Sequence, residues 1–144
     1  MSKLKIVIPI VLVVLGGAYK FVLSKPTASA KPKVAGQVYV LGKEFLVNLS
    51  GGRYAKLTVA LVLAEGDTSA TAASAESTPP DGFGPMPQEA VVRSDVTDVL
   101  TDARDRDLIN GKGRHKLQTK ILKLIQSNTD VKADEVLFTD VTVQ

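Results

Sequence analysis

The sequence predicts an α+β protein: an N-terminal transmembrane helix, then a small domain in which an antiparallel sheet carries two helices. Three observations carry this expectation. Residues 6–19 are apolar or small and hold no charge. A stretch from Tyr54 to Glu65 alternates with period two. Two later stretches repeat apolar residues at spacings of three and four.

The apolar stretch "LKIVIPIVLVVLGGAYKFVL" begins at Leu4 and ends at Leu23. At about 1.5 Å per residue it reaches about 30 Å, the hydrocarbon thickness of a bilayer. Lys5 and Lys20 sit where their stems can snorkel to headgroups. Pro9 falls in the first turns, where a missing N–H costs least. Gly16 and Gly17 form a smooth patch for close contact with another helix. A cleaved signal peptide is the rival reading, with Lys3 and Lys5 ahead of the apolar run and "ASA" at 28–30 as the cleavage site. The length of the run favours a retained anchor. Lysines flank it on both sides, so charge alone does not set its orientation.

Residues 24–36, "SKPTASAKPKVAG", read as a linker stiffened by Pro26 and Pro32. Residues 37–144 form the body, beginning with "QVYVLGKEFLVNLS", one or two extended segments bent at Gly42. A turn at "SGG", residues 50–52, implies a hairpin with the strand that follows. In that strand Ala55, Leu57, Val59, Leu61 and Leu63 share one face. Residues 66–87 are rich in Pro, Ser, Thr and Ala, and read as a mobile insertion.

"PQEAVVRSDVTDVLTDARDRDL", residues 87–108, reads as one helix, with Val92, Val96, Val99, Leu100 and Ala103 on its apolar side. Glu89 near its start suits the helix dipole. Asn110-Gly111 reads as a turn, and residues 114–128 as a second helix with Leu117, Ile121, Leu124 and Ile125 inward. The second helix bears Arg114, Lys116, Lys120 and Lys123 and no acid; the first bears six acids and three bases. Two solvated faces explain this most simply, and complementary surfaces between copies are the alternative. "EVLFTDVTVQ" closes the sequence as a strand that joins the sheet, with the two helices on one face.

Of 144 residues, 44% are apolar and 23% charged, which suits a packed domain. The net charge of +3 conceals a contrast. Six lysines precede residue 34; the remainder holds 12 bases against 15 acids, a net of −3. No basic face of the size nucleic acid requires is evident. Without cysteine there is no disulfide or thiolate site. His115, the single histidine, has no evident nucleophile or carboxylate partner in sequence. "DARDRD" at 102–107 lacks the Gly and terminal Glu of a calcium loop, and "GKG" at 111–113 lacks the upstream glycine of a phosphate loop. No catalytic, metal or cofactor site is expected.

The order of these pieces resembles the FliL family of flagellar basal body-associated proteins. The resemblance rests on "EFLVNLSGGRYAKLTVAL", "VVRSDVTDVL", "GKGRHKLQTKILKLI" and the closing "VLFTDVTVQ". Matching positions are Phe45, Asn48, Leu49 and Tyr54, then Arg93, Leu100 and Leu108, then Gly113 and Leu117, and finally Phe138, Thr139, Asp140 and Gln144. Two positions depart: Ser94 stands where the family often has an acid, and Val141 where it often has an aromatic. The resemblance implies a stomatin-like (SPFH-like) body outside the cell membrane, residues 1–3 as a short cytoplasmic tail, and no catalysis. It implies a homo-oligomeric ring around stator proteins of the MotA/MotB type at the basal body, supporting torque, motility and swarming. A stomatin-like membrane scaffold unconnected with flagella, and a secreted binding domain, are the other readings.

Overall fold

The computed structural model describes residues 33–70 and 79–144. The span from Leu4 to Leu23, with Gly16 and Gly17, lies outside the described residues, as do 71–78. Among the described residues no helix is long and apolar enough to cross a membrane.

Strands β1 (Val38–Val40), β2 (Phe45–Asn48) and β3 (Tyr54–Leu63) come first. Helices α1 (Glu89–Leu100), α2 (Asp105–Ile109) and α3 (Gly111–Asn128) follow, and β4 (Ala133–Val143) ends the order. All pairings are antiparallel, and all involve β3. β1 pairs with residues 60–62 of β3 and β2 with residues 54–57, while β4 pairs along nearly all of it. β1 and β2 therefore lie end to end on one edge of β3, opposite β4. The Leu41 N–H donates to Val59 O at 3.0 Å, which carries the ladder across the break between them. The expected α+β class is observed, with a small antiparallel sheet and helices.

Period two in β3 produces the core. Ala55, Leu57, Val59, Leu61 and Leu63 are buried, together with Val92, Val96 and Leu100 of α1, Leu108 of α2, and Ile121 and Ile125 of α3. On the opposite face Tyr54 is exposed, yet Ala60 and Val62 are only 3% and 8% exposed. In register, Val40 and Leu137 flank Ala60, and Val38 and Glu135 flank Val62. In a central strand the side chains on both neighbouring strands help to cover those between them.

The Ser50–Gly52 turn joins β2 to β3 as the sequence predicts; Gly51 and Gly52 take φ of +84° and +76°, which suits glycine. Two expectations require correction. The single helix over 87–108 is two helices. Thr101 is extended, Asp102 has φ +60°, and α2 starts only at Asp105. Asp102, the aspartate inside the break, is a poor helix former and tolerates a positive φ. The freed backbone groups bond to the end of β2 and the turn after it: Asp102 N–H donates to Asn48 O and Ala103 O accepts from Ser50 N–H, both at 3.0 Å. The domain thus has three helices among its described residues, not two.

Asn110-Gly111 is not a turn between distant helices. Asn110 is the N-cap of α3, its side-chain oxygen accepting from Lys112 N–H at 2.9 Å. That satisfies one of the free donors of the first helical turn, so α3 begins at Gly111 rather than Arg114. The segment 66–87 contributes to the core at both ends, through buried Ala70 and Met86.

Candidate functional site

The most organised polar site lies where β1 gives way to β2. Glu89 opens α1 and is only 1% exposed. A buried carboxylate is costly unless its oxygens are hydrogen-bonded. Here Tyr39 O–H donates to Oε2 at 2.5 Å, Gly84 N–H to Oε2 at 2.8 Å, and Gly42 N–H to Oε1 at 2.7 Å. Arg93, one turn further along α1, has Nη1 at 3.9 Å from Glu89 Oε1. It donates to Lys43 O at 2.8 Å and stacks on the Phe45 ring, whose centroid is 4.2 Å from the guanidinium carbon. Phe83 offers a second ring at 5.8 Å. Such stacking adds about 0.5–1 kcal/mol where the cation stays partly hydrated.

Burial pushes the Tyr39 hydroxyl up to about 12, and its hydrogen bond to Glu89 adds to the shift. The same hydroxyl oxygen accepts from Met86 N–H at 3.3 Å. Gly42 and Gly84 are required by space. A Cβ on Gly84 would stand 2.1 Å from the Tyr39 hydroxyl oxygen, and one on Gly42 would stand 2.7 Å from Gly84 N. The cluster ties three segments together: the break between β1 and β2, the chain before α1, and α1 itself. It is built for rigidity. Its carboxylate has three donors and is shut away from solvent, so it cannot serve as a general base toward an external substrate.

The family-matched residues fall at separate junctions rather than around one pocket. Phe45 and Arg93 stack. Tyr54 and Gln144 exchange two backbone hydrogen bonds at 2.9 Å each, and the Tyr54 hydroxyl donates to the Gln144 side chain at 2.5 Å. Asn48 receives the chain leaving α1. Leu100 is fully buried, and Phe138 is half-buried against the core. Gly113 lets α3 approach α2: a Cβ there would lie 2.5 Å from Asp107 O and 2.6 Å from its Cα. Thr139 pairs with Thr58, and after it β4 carries an extra residue, with Asp140 at φ +52°. Asp tolerates this left-handed conformation better than most residues, and the extra residue makes a β-bulge.

His115 is exposed on α3. Among the described residues no group of His, Asp or Glu is placed to hold a metal ion. Within "DARDRD", Asp105 pairs with Arg53 and Asp107 with Arg104. Sequence reasoning missed Glu89 as a buried anchor, along with Tyr39, Gly42 and Gly84. A Glu in a first turn reads as a dipole partner, and only its burial reveals the larger role.

A sequence profile of the family described as flagellar basal body-associated protein FliL matches residues 38–144. The chain belongs to the FliL family. The match opens on the first residue of β1 and runs through the Tyr54–Gln144 pairing, so it covers the whole of the sheet and all three helices. No curated protein matches the chain. The FliL family consists of accessory structural proteins of the flagellum and is not known for catalysis. Membership gives the chain a flagellar basal body-associated role. In this FliL domain several of the positions singled out by the resemblance sit where elements meet.

Proposed function

We propose that this FliL protein is a single-pass membrane protein that surrounds flagellar stator units as a homo-oligomeric ring, supporting torque, motility and swarming. The helix from Leu4 to Leu23 anchors it, residues 24–36 link the anchor to the domain, and the stomatin-like domain stands outside the cell membrane. The family match over 38–144 carries this reading. The uncharged run 6–19 supports the anchor, because each charge placed at mid-membrane costs several kcal/mol. A ring would act on the stator by binding one of its states better than another, since a partner shifts an equilibrium only by differential affinity. Gly16 and Gly17 would let the anchor pack closely against stator helices. The test is gene deletion followed by complementation with wild type or with Gly16→Leu/Gly17→Leu. Deletion is expected to impair swimming or swarming while filaments persist, and the double variant to lose stator co-purification. Unchanged motility in the deletion strain sinks the proposal; unchanged co-purification of the double variant sinks only the helix-contact part.

A further inference from the structure

The basic residues of the domain differ in their partners. Lys43, Arg53, Lys56, Arg93 and Arg104 each have a carboxylate within 4 Å. Arg106, Lys112, Lys116, Lys120 and Lys123 have no side-chain partner among the described residues. These five lie on α2 and α3, where Arg114 instead donates to the Leu108 and Ile109 carbonyls at 2.9 Å; Lys33 and Lys132, elsewhere in the domain, also form no salt bridge among the described residues. On α3 the four lysines fall at i, i+4, i+8 and i+11, within an arc of about 80° at 100° per residue. They form one stripe about 16 Å long on a helix without a single acid. Like charges at i, i+4 destabilise a helix by a few tenths of a kcal/mol each, so the stripe is a cost to the isolated domain.

The stripe starts in a cavity. Between α2 and α3 an open cleft of about 340 Å³ is lined by Arg104, Arg106, Asp107, Asn110, Lys112 and Lys116. Its four cations face one carboxylate, a net of +3. That carboxylate is already engaged: Arg104 donates to both oxygens of Asp107, at 2.9 and 3.3 Å. The volume lies at the lower end of the range for small-ligand sites, about 300–1,000 Å³. The first turn of α3 forms one wall, and its dipole adds to the positive field. The lysines lie closer together than the screening length of about 8 Å at physiological salt permits them to ignore one another.

We propose that the α2–α3 cleft binds a phosphoryl anion, held by Arg106, Lys112 and Lys116, with Lys120 and Lys123 extending the attraction along α3. Arg106 supplies a planar fork suited to a phosphate, and the lysines act as point charges. Free phosphate and the headgroup of an anionic phospholipid share this chemistry. The inference concerns the domain alone and holds whether or not the stator reading does.

The full-length protein, ¹⁵N-labelled in an uncharged detergent, is titrated with inorganic phosphate at constant ionic strength. The amide signals of Lys112, Gly113 and Lys116 are expected to move saturably, and Lys112→Gln/Lys116→Gln to weaken binding by roughly tenfold. Arg106→Gln, at an exposed side chain without a partner, is a second variant with the same expected direction. In a parallel arm, phosphatidylglycerol or phosphatidylcholine is added to the micelles. Movement with phosphatidylglycerol alone, abolished in the variants, assigns the site to a lipid headgroup; saturable movement with phosphate assigns it to the free anion. No saturable shift with either probe, or shifts that persist unchanged in both variants, overturns the proposal.

Discussion

Replacing Glu89 with Ala removes the acceptor of three donors at once: the buried Tyr39 O–H and the part-buried Gly42 and Gly84 N–H groups. Each buried donor left unpaired costs about 1–3 kcal/mol. Water entering the vacated space recovers part of this, so the expected loss is about 3–5 kcal/mol, the range for breaking a buried charge network. Domains of this size are commonly stable by only about 5–15 kcal/mol. Glu89→Gln separates the contributions. Its carbonyl oxygen can keep the two donors now on Oε2, but its NH₂ then faces Gly42 N–H. One donor conflict and the loss of charge predict a cost of about 1.5–3 kcal/mol. Equilibrium urea unfolding of the full-length protein, followed by far-ultraviolet circular dichroism, measures both variants, with an unchanged slope as the check on two-state behaviour. A Glu89→Ala cost below about 1 kcal/mol, or a Gln variant as costly as Ala, would refute the reasoning that Glu89 acts as an acceptor hub.

Tyr39 gives an alkaline signature. Its folded value, about 12, exceeds its ordinary 10.0, so the stabilisation is complete below pH 10 and fades as pH rises towards 12. Tyr39→Phe is therefore expected to flatten the stability curve in that window, read from urea midpoints at pH 9 and pH 11.5. Asp67 behaves in the opposite sense. Burial raises its carboxyl, but hydrogen bonds from Ser69 and Lys132 outweigh that and hold it below the usual 3.8. Its contribution is present above the ordinary value and disappears as pH falls through the folded one, so Asp67→Asn should lower Tm at pH 7 and matter progressively less in acid. At Gly113, alanine gains up to about 1 kcal/mol in helix propensity yet places a methyl against the Asp107 backbone. The clash dominates, with a net loss of about 1–3 kcal/mol by urea unfolding, whereas Gly111→Ala, with nothing nearer than 4.0 Å, should be neutral or stabilising.

What the sequence revealed, and what it concealed, follows from how local each signal is. The buried face of β3 was legible because period two is written in five consecutive alternate residues, Ala55 to Leu63. The β2–β3 turn was legible because Gly51 and Gly52 announce positive φ. The break after Leu100 was not: Ala103 continues the apolar spacing, and the bonds that open the helix come from Asn48 and Ser50, some fifty residues earlier. Asn110 was misread because asparagine serves turns and N-caps alike. Tyr54 and Gln144 were both marked by the family pattern, but only the sheet brings them together, across ninety positions. Glu89 was seen and undervalued, since its donors lie on Tyr39, Gly42 and Gly84, which no local pattern connects.

Basal-body association is tested most directly by location. A fluorescent fusion of the full-length protein, expressed from its own locus, should form foci at flagellar bases, and those foci should disperse in cells that cannot assemble a basal body. Foci that persist without basal bodies, or a uniform distribution in cells that swim normally, would contradict it.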